Sequence, residues 1–261
     1  MKTLPDLKIT FLGTGTSQGV PVIACDCEVC TSLDPQDTRL RTAAMISVNG
    51  KNIVIDVGPD FRQQMLENKI VDIDSVLITH EHNDHVIGLD DVRPFNFRYQ
   101  KDMPVYCTRQ VINSLKKRFE YAFSENPYPG TPRFELIEVF AEKTFEVAGQ
   151  PIIPFEVMHG KMPVLGFRFG DLTYITDAKT LDEIAIQKIK GTKILILNAL
   201  RLEKHHAHLS LEEALDLIAA IQPQQAYLVH ISHKMGLAAS INKKLPKNVT
   251  LAYDGLQVVV K

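Results

Sequence analysis

The chain lacks any apolar run approaching the length of a membrane span, and Met1–Asp6 lacks the hydrophobic centre of a signal peptide. Those absences make the cytoplasm the expected location and leave no membrane partner to expect. An excess of one charge is also missing. The 29 basic side chains face 31 acidic ones, a formal net charge of −2. No global field therefore draws the chain to nucleic acid or anionic lipid. Cysteine is sparse, and the 4 that occur are clustered: Cys25, Cys27 and Cys30 crowd together while Cys107 stands alone. A disulfide framework needs pairs well separated in sequence and an oxidising compartment. The clustering points to a metal site, with Cys107 left as a core residue. No GKS or GKT follows the glycine-rich stretch Gly13–Gly19, which excludes a nucleotide P-loop. That stretch is either turn chemistry or a place where backbone N–H groups approach an anion. With no low-complexity segment, linker or clear internal repeat, one domain over residues 1–261 is expected.

What is present reads as a mixed α/β chain. Leu7, Ile9 and Phe11 alternate with polar residues, as in a half-buried strand. Ala43–Val48 and Ile53–Val57 flank Asn49-Gly50, a strong hairpin signal. Asp60 is placed to cap a short helix running to about Asn68. The aromatic and basic stretch Phe95–Tyr99 reads as a loop or subunit contact, with a cover over substrate as the alternative. Strands are expected at Phe134–Val139, Thr144–Val147, Pro154–Met158, Leu165–Phe169 and Leu172–Thr176, then at Lys193–Leu197 and Ala226–Val229. Ser210-Leu211-Glu212-Glu213 opens a helix with a capping box. Strands in two blocks with helices interspersed suggest two packed sheets with helices outside.

The chemistry concentrates at Val76–Gly88. An apolar, β-branched run stops at Thr79, and His80, His82, Asp84 and His85 follow at once. Imidazoles and a carboxylate crowded this way suffer desolvation and repulsion, which a divalent cation turns into binding. The alternative is a polar loop that happens to be histidine-rich. The pattern recurs, however. Phe155–Met158 leads into His159, Tyr174–Thr176 into Asp177, and Tyr227–Val229 into His230. A strand terminus offers rigid support and solvent access together, as a ligand requires.

His80-Glu81-His82-Asn83-Asp84-His85 resembles the His-x-His-x-Asp-His mark of the metallo-β-lactamase superfamily. The resemblance covers essentially the whole chain and implies an αββα four-layer sandwich with a two-metal centre at one edge. By that match His80, His82 and His159 would hold one ion, Asp84, His85 and His230 the other, and Asp177 would bridge them. Asp56, in an Asp-x-Gly, matches a carboxylate that braces the histidine loop. Gly13–Pro21, Cys25–Cys30 and His230-Ile231-Ser232-His233 narrow the likeness to the cyclic-phosphate phosphodiesterase branch of phosphonate breakdown (PhnP-like). In that branch Cys25, Cys27, Cys30 and His233 would hold a separate structural zinc, and Cys₃His is a closed tetrahedral zinc set.

The resemblance implies a phosphodiesterase acting on small phosphodiesters, a cyclic ribose phosphate among them. Two Zn²⁺ or Mn²⁺ ions would lower the pKa of a shared water, so that hydroxide attacks phosphorus. His208 matches the branch's additional histidine, which would protonate the leaving oxygen or bind the phosphate. Asp84 is counted with His208 among the catalytic residues. A homodimer is what the family implies. Three other readings stand: a tRNA 3′-processing nuclease, although no basic glycine-rich arm is seen; a thioester, lactone or β-lactam hydrolase; and a non-catalytic metal-binding protein.

Overall fold

The computed structural model describes residues 7–260, so the reading of Met1–Asp6 as lacking a signal peptide lies outside the described residues. Strands β1 (Leu7–Gly13), β2 (Ala43–Val48), β3 (Lys51–Ile55), β4 (Ser75–Leu77), β5 (Met103–Cys107) and β6 (Phe134–Glu138) come first. Next are β7 (Phe145–Val147), β8 (Gln150–His159), β9 (Met162–Phe169), β10 (Leu172–Tyr174), β11 (Ile194–Asn198), β12 (Gln225–Val229) and β13 (Val249–Leu251). Finally β14 (Gln257–Val260) returns to pair antiparallel with β1. They form two 7-stranded sheets, ordered β14-β1-β2-β3-β4-β5-β6 and β13-β12-β11-β10-β9-β8-β7.

Period-two alternation decides the layering. Ile53 and Ile55 on β3, Leu77 on β4, and Ile194 and Ile196 on β11 meet in one cluster with Phe11, Phe167 and Tyr174, which fills the space between the sheets. The residues between them face outward. Val54 and Val76 pack under helices α1 (Phe61–Glu67), α3 (Arg93–Tyr99) and α4 (Arg109–Arg118). Leu195 and Leu197 pack under α5 (Glu183–Ile189), α6 (Leu211–Ile221) and α7 (Ala238–Asn242). Because both faces of these strands are covered, they read as continuous apolar runs. The result is the expected αββα sandwich. Between α1 and α3, the single turn α2 (Asn83–Val86) carries Asp84 and His85.

Local signals held where the chemistry is local. Asn49 and Gly50 both take positive φ, 53° and 72°, as the tight turn between β2 and β3 requires. Ser210 and Glu213 make both bonds of the capping box on α6. Two expectations need correction, and of the two readings of Gly13–Gly19 the turn is the one found. The Asp60 carboxylate does not cap α1; it accepts from the Arg41 backbone N at 2.8 Å and from Arg41 Nη1 at 2.8 Å. Residues 95–99 are helix, not loop, because Pro94 sits in the first turn of α3 and Phe95 is buried beneath it. The N–H groups of Gly15, Thr16 and Gly19 are taken by the carbonyls of Leu40, Ile231 and Thr16, so they do not cradle an anion. Cys107 is a fully buried core residue, as expected. No helix among the described residues is long and apolar enough to cross a membrane.

Candidate metal centres

His80, His159, Asp177 and His230 lie at or just beyond the ends of β4, β8, β10 and β12, as their positions in the sequence suggested. The backbone shows how the turn away from each strand is made. Asp56, Asp177 and His230 take φ of 62°, 58° and 56°, the left-handed region that side chains rarely adopt. Such residues persist where their surroundings over-determine them, and they cluster at functional sites.

The side chains converge. Asp177 stands at the centre: Oδ2 lies 3.3 Å from His85 Nε2, while Oδ1 lies 3.2 Å from His230 Nε2 and 3.7 Å from His208 Nδ1. Asp84 Oδ2 lies 3.2 Å from His85 Nε2 and 3.9 Å from His230 Nε2. The His80 ring meets His82 edge-on and His85 at a tilt, 4.6 and 4.2 Å between centroids. His159 lies 5.3 Å from His82 and 4.4 Å from His208. Among the described residues, donor atoms gather as His80/His85/Asp177, Asp84/His85/His230 and His159/Asp177/His208. This differs from the partition the resemblance implied. His82 stands at the exposed rim outside these groups, and His208 sits among the donors. His205 and His206 precede it in the loop between β11 and α6, His205 half-buried and His206 exposed.

Hydrogen bonds fix which ring nitrogen is free. His85 Nδ1 donates to Asp56 Oδ2 at 2.7 Å, and His159 Nδ1 donates to the Ala207 carbonyl at 2.8 Å. Both partners only accept, so Nδ1 carries a proton in each ring and Nε2 is the atom left to face a cation, which at His85 takes the place of a second proton. Thr79 Oγ1 donates to Asp56 Oδ2 at 2.8 Å and can take the N–H of His80 Nδ1 at 2.9 Å. Asp56 thus braces two histidines, one of them through Thr79. Buried His80 Nε2, His85 Nε2, His208 Nδ1 and both ring nitrogens of His230 have no hydrogen-bond partner. Buried polar atoms are rarely left so. Unpartnered imidazole nitrogens around two carboxylates form the donor set of a divalent cation, and the residues fit one.

The electrostatics agree with that fit. Burial pushes the Asp177 carboxyl up, but His230 and His85 outweigh it and hold it well below the usual range. Burial also disfavours charge on His85, yet Asp177 and Asp56 raise it well above an ordinary histidine. Asp84 is likewise held low, against its burial, by the neighbouring His230 and His85. His208 is pushed down to about 3 by burial and by the neighbouring His230, leaving it a neutral imidazole at pH 7.

Residues with no obvious chemistry hold this loop in place. A Cβ on Gly58 would lie 2.1 Å from the Asp84 carbonyl oxygen, and one on Gly88 would lie 1.9 Å from the Gly58 carbonyl oxygen. Only glycine lets these two backbones pass. On the other side Arg118 donates to the Glu81 carbonyl at 2.8 Å and to the Asn83 side chain. The sequence reading missed Thr79 and the Ala207 carbonyl as braces. Gly58 belongs to the Asp-x-Gly already noted, which was its one available signal.

The cysteine cluster is a separate construction. Cys25, Cys27 and Cys30 place their Sγ atoms 3.3, 3.4 and 3.5 Å from one atom, His233 Nδ1. A ring nitrogen offers one hydrogen or one lone pair, so three such contacts cannot all be hydrogen bonds. Tetrahedral zinc, at about 2.3 Å from sulfur and about 2.0 Å from nitrogen, spaces those atoms by roughly 3.6 Å. The residues fit that ion. A backbone bond from Cys30, with help from His233, lowers the Cys27 thiol to about 6, while burial raises Cys30 to about 11.

Residues 51–231 match the family model described as a beta-lactamase superfamily domain. The chain belongs to the metallo-β-lactamase superfamily, and within it to the PhnP family. A crystal structure of a diphosphatase from the PhnP family superposes with a TM-score of 0.91 at 36% identity, over 98% of each chain. Zinc-bound PqqB from Methylobacterium extorquens superposes at 0.77 and 21% identity, covering 96% of this chain and 99% of that one, a likeness of fold alone. By sequence, the chain is 40% identical over 256 residues to a Porphyromonas gingivalis protein called octanoyltransferase. That match covers 97% of this chain but 52% of the other, so the chain spans about half the length of that curated relative. Membership of the metallo-β-lactamase superfamily implies divalent metals, and the donor sets above fit them.

Proposed function

We propose that this chain is a metal-dependent phosphodiesterase acting on small substrates, a cyclic ribose phosphate among them. The observation that carries the reading is the placement of His208 beside Asp177, inside the ring of donors, with Nδ1 unpartnered. An acyl thioester expels a thiolate, which departs without a proton. A phosphoryl group, with several charged oxygens and an alkoxide to expel, needs a further donor at that point.

In this reading His80, His82 and His159 would hold one ion and Asp84, His85 and His230 the other, with Asp177 between the two sets. Bound there, zinc or manganese would supply hydroxide near neutral pH and neutralise phosphate oxygens. The chain's own residues do the rest. Asp56 and Thr79 orient His85 and His80, and Asp84 and Asp177 keep the centre anionic enough to retain two cations. His208, a neutral imidazole, donates a hydrogen bond from its ring N–H to a phosphate or departing oxygen as the P–O bond breaks, and the released alkoxide takes its proton from water. The cleft of about 520 Å³ lined by His82, Gln110, His159, Lys161, Met162 and Pro163 opens beside the cage and admits a small molecule. Lys161 gives it a positive charge suited to an anionic substrate. Cys25, Cys27, Cys30 and His233 hold a structural zinc that ties the N-terminal loop to the strand end bearing His230. The likeness to a PhnP-family diphosphatase supports attack at phosphorus.

The partner in this proposal is a small phosphodiester, not nucleic acid. A second reading, hydrolysis of an acyl thioester by the same cage, draws on the half-length match to the octanoyltransferase. One metal-loaded sample offered an aryl phosphodiester, a cyclic ribose phosphate, a diphosphate diester and an octanoyl thioester separates the two. Turnover confined to the thioester would overturn the phosphodiesterase reading. Within it, His208→Ala should lower phosphodiester turnover by about 100-fold or more with cage metal content unchanged. Undiminished turnover would remove His208 from the mechanism.

A further inference from the structure

We propose that Asn198 is a positioning residue for the metal cage: its side-chain amide sets the backbone of Ala178, aiming Asp177 and registering the loop that carries His208. The inference rests on the hydrolase reading above.

Asn198 ends β11 and is fully buried. Its Oδ1 accepts from the Ala178 N–H at 2.7 Å, and its Nδ2 donates to the Ala178 carbonyl at 2.9 Å. The reason for this clamp lies in the sheet. β10 pairs parallel with β11 through Tyr174 and Ile196, and the ladder reaches from Ile175 N to the Ile196 carbonyl at 2.9 Å. Then the chain turns away, because Asp177 takes a φ of 58°. Beyond that point backbone pairing gives way to the side-chain amide. It acts as a substitute peptide group, presenting one acceptor and one donor to a single residue.

The clamp reaches two parts of the site. The Ala178 carbonyl also accepts from Leu209 N at 2.9 Å, and the Leu209 carbonyl accepts from Leu200 N at 2.9 Å. His208 precedes Leu209, so one carbonyl joins the Asp177 turn, the end of β11 and the His208 loop. A left-handed aspartate persists only where neighbours hold it, and here one neighbour is an amide that meets both backbone groups of the next residue. Aspartate at position 198 could not donate, and a serine could meet only one of the two partners.

The test compares metal affinity at the two candidate sites. Competition titrations would follow cage metals and the Cys25/Cys27/Cys30/His233 zinc in wild type, Asn198→Ala and Asn198→Ser. Thr173→Val is the control, since it removes a buried bond from β10 to Thr192, just before β11, 3.0 Å between hydroxyls. Asn198→Ala should weaken cage affinity by about 10- to 100-fold with the cysteine-site zinc retained, and Thr173→Val by less than about twofold. If Asn198→Ala does not fold, Asn198→Ser carries the test, with a smaller cage-specific loss. Cage affinity within about twofold of wild type in the Asn198 variants would overturn the inference. So would loss of the cysteine-site zinc in step with the cage metals. A wild-type chain that takes up no cage metal would overturn the hydrolase reading and this inference with it.

Discussion

In the strand-end cage the donors are buried and oriented by the two sheets; in the cysteine cluster they sit on turns at the surface. His80, His85 and His230 are each 1% exposed and Asp177 2%, and protein partners already fix the free nitrogens of His80 and His85. Cys25, Cys27, Cys30 and His233 are all half-exposed. Their loop is held by turn bonds such as Cys25 N to the Val22 carbonyl and Thr31 N to the Cys27 carbonyl. Nearby Ile23 and Leu33 project into solvent, 94% and 98% exposed. The difference teaches where order comes from. The cage takes it from strand ends and from braces such as Asp56 and Thr79, and can be preorganised for chemistry. In the cluster four ligands replace a hydrophobic core, so an ion there stabilises the fold directly.

The sharpest way to break this contrast is to spoil the cage's packing without touching a donor. Gly58→Ala forces a Cβ against the Asp84 carbonyl, so Asp84 and His85 must shift. We expect cage affinity and turnover to fall by about 100-fold, with a stability loss of about 1–3 kcal/mol. Elemental analysis should still find the cysteine-site zinc. Equal loss at both sites would show that they are one cooperative unit.

Cys27→Ser tests the other side. One metal per chain should disappear, and residues 22–33 should become open to proteolysis, while turnover at the cage drops by less than about tenfold. Mild chelation should strip the cage before the cluster. Loss of all turnover in Cys27→Ser would mean that the cluster sets His230 through the short link from His230 to His233.

The smallest effect on turnover is expected at Arg39 and Asp254, outside both donor sets. Arg39 is buried and donates to Thr14 Oγ1 at 2.8 Å, while Asp254 accepts from Thr14 Oγ1 at 2.7 Å and from Leu40 N at 2.6 Å. Burial raises Asp254 from 3.8 to about 6, against the pull of Leu40, Thr14 and Arg39. The folded state therefore binds this proton more tightly than the unfolded chain. Its contribution is fully present below about pH 4 and is lost as pH rises through about 6, on the order of 3 kcal/mol. The unfolding free energy of wild type minus that of Asp254→Asn, followed across this window, should fall by that amount, with cage turnover at pH 7 unchanged. A flat difference would show that Asp254 ionises normally.

Much of the fold was legible because its signals are local. The Asn49-Gly50 turn, the Ser210–Glu213 capping box and the apolar runs of β11 and β12 follow from backbone preference and burial alone. Asp60 and residues 95–99 misled for the opposite reason. Arg41, distant in sequence, claims the Asp60 carboxylate, and burial of Phe95 under the sheet outweighs the loop-like look of its neighbours.

By itself the sequence determined the kinds of donor, their delivery at strand ends, two packed sheets with helices outside and the separate cysteine cluster, since each follows from spacing and periodicity; the αββα sandwich with its site at one edge was what the resemblance implied. Only the tertiary structure decided that Asp177 stands between His85, His230 and His208, that Nδ1 of His85 and His159 carries the proton, and that Asn198 clamps Ala178. Those facts depend on hydrogen bonds between residues tens of positions apart, such as His159 to Ala207 and Asn198 to Ala178. A side chain's partner across a fold leaves no mark on its own neighbours in the chain.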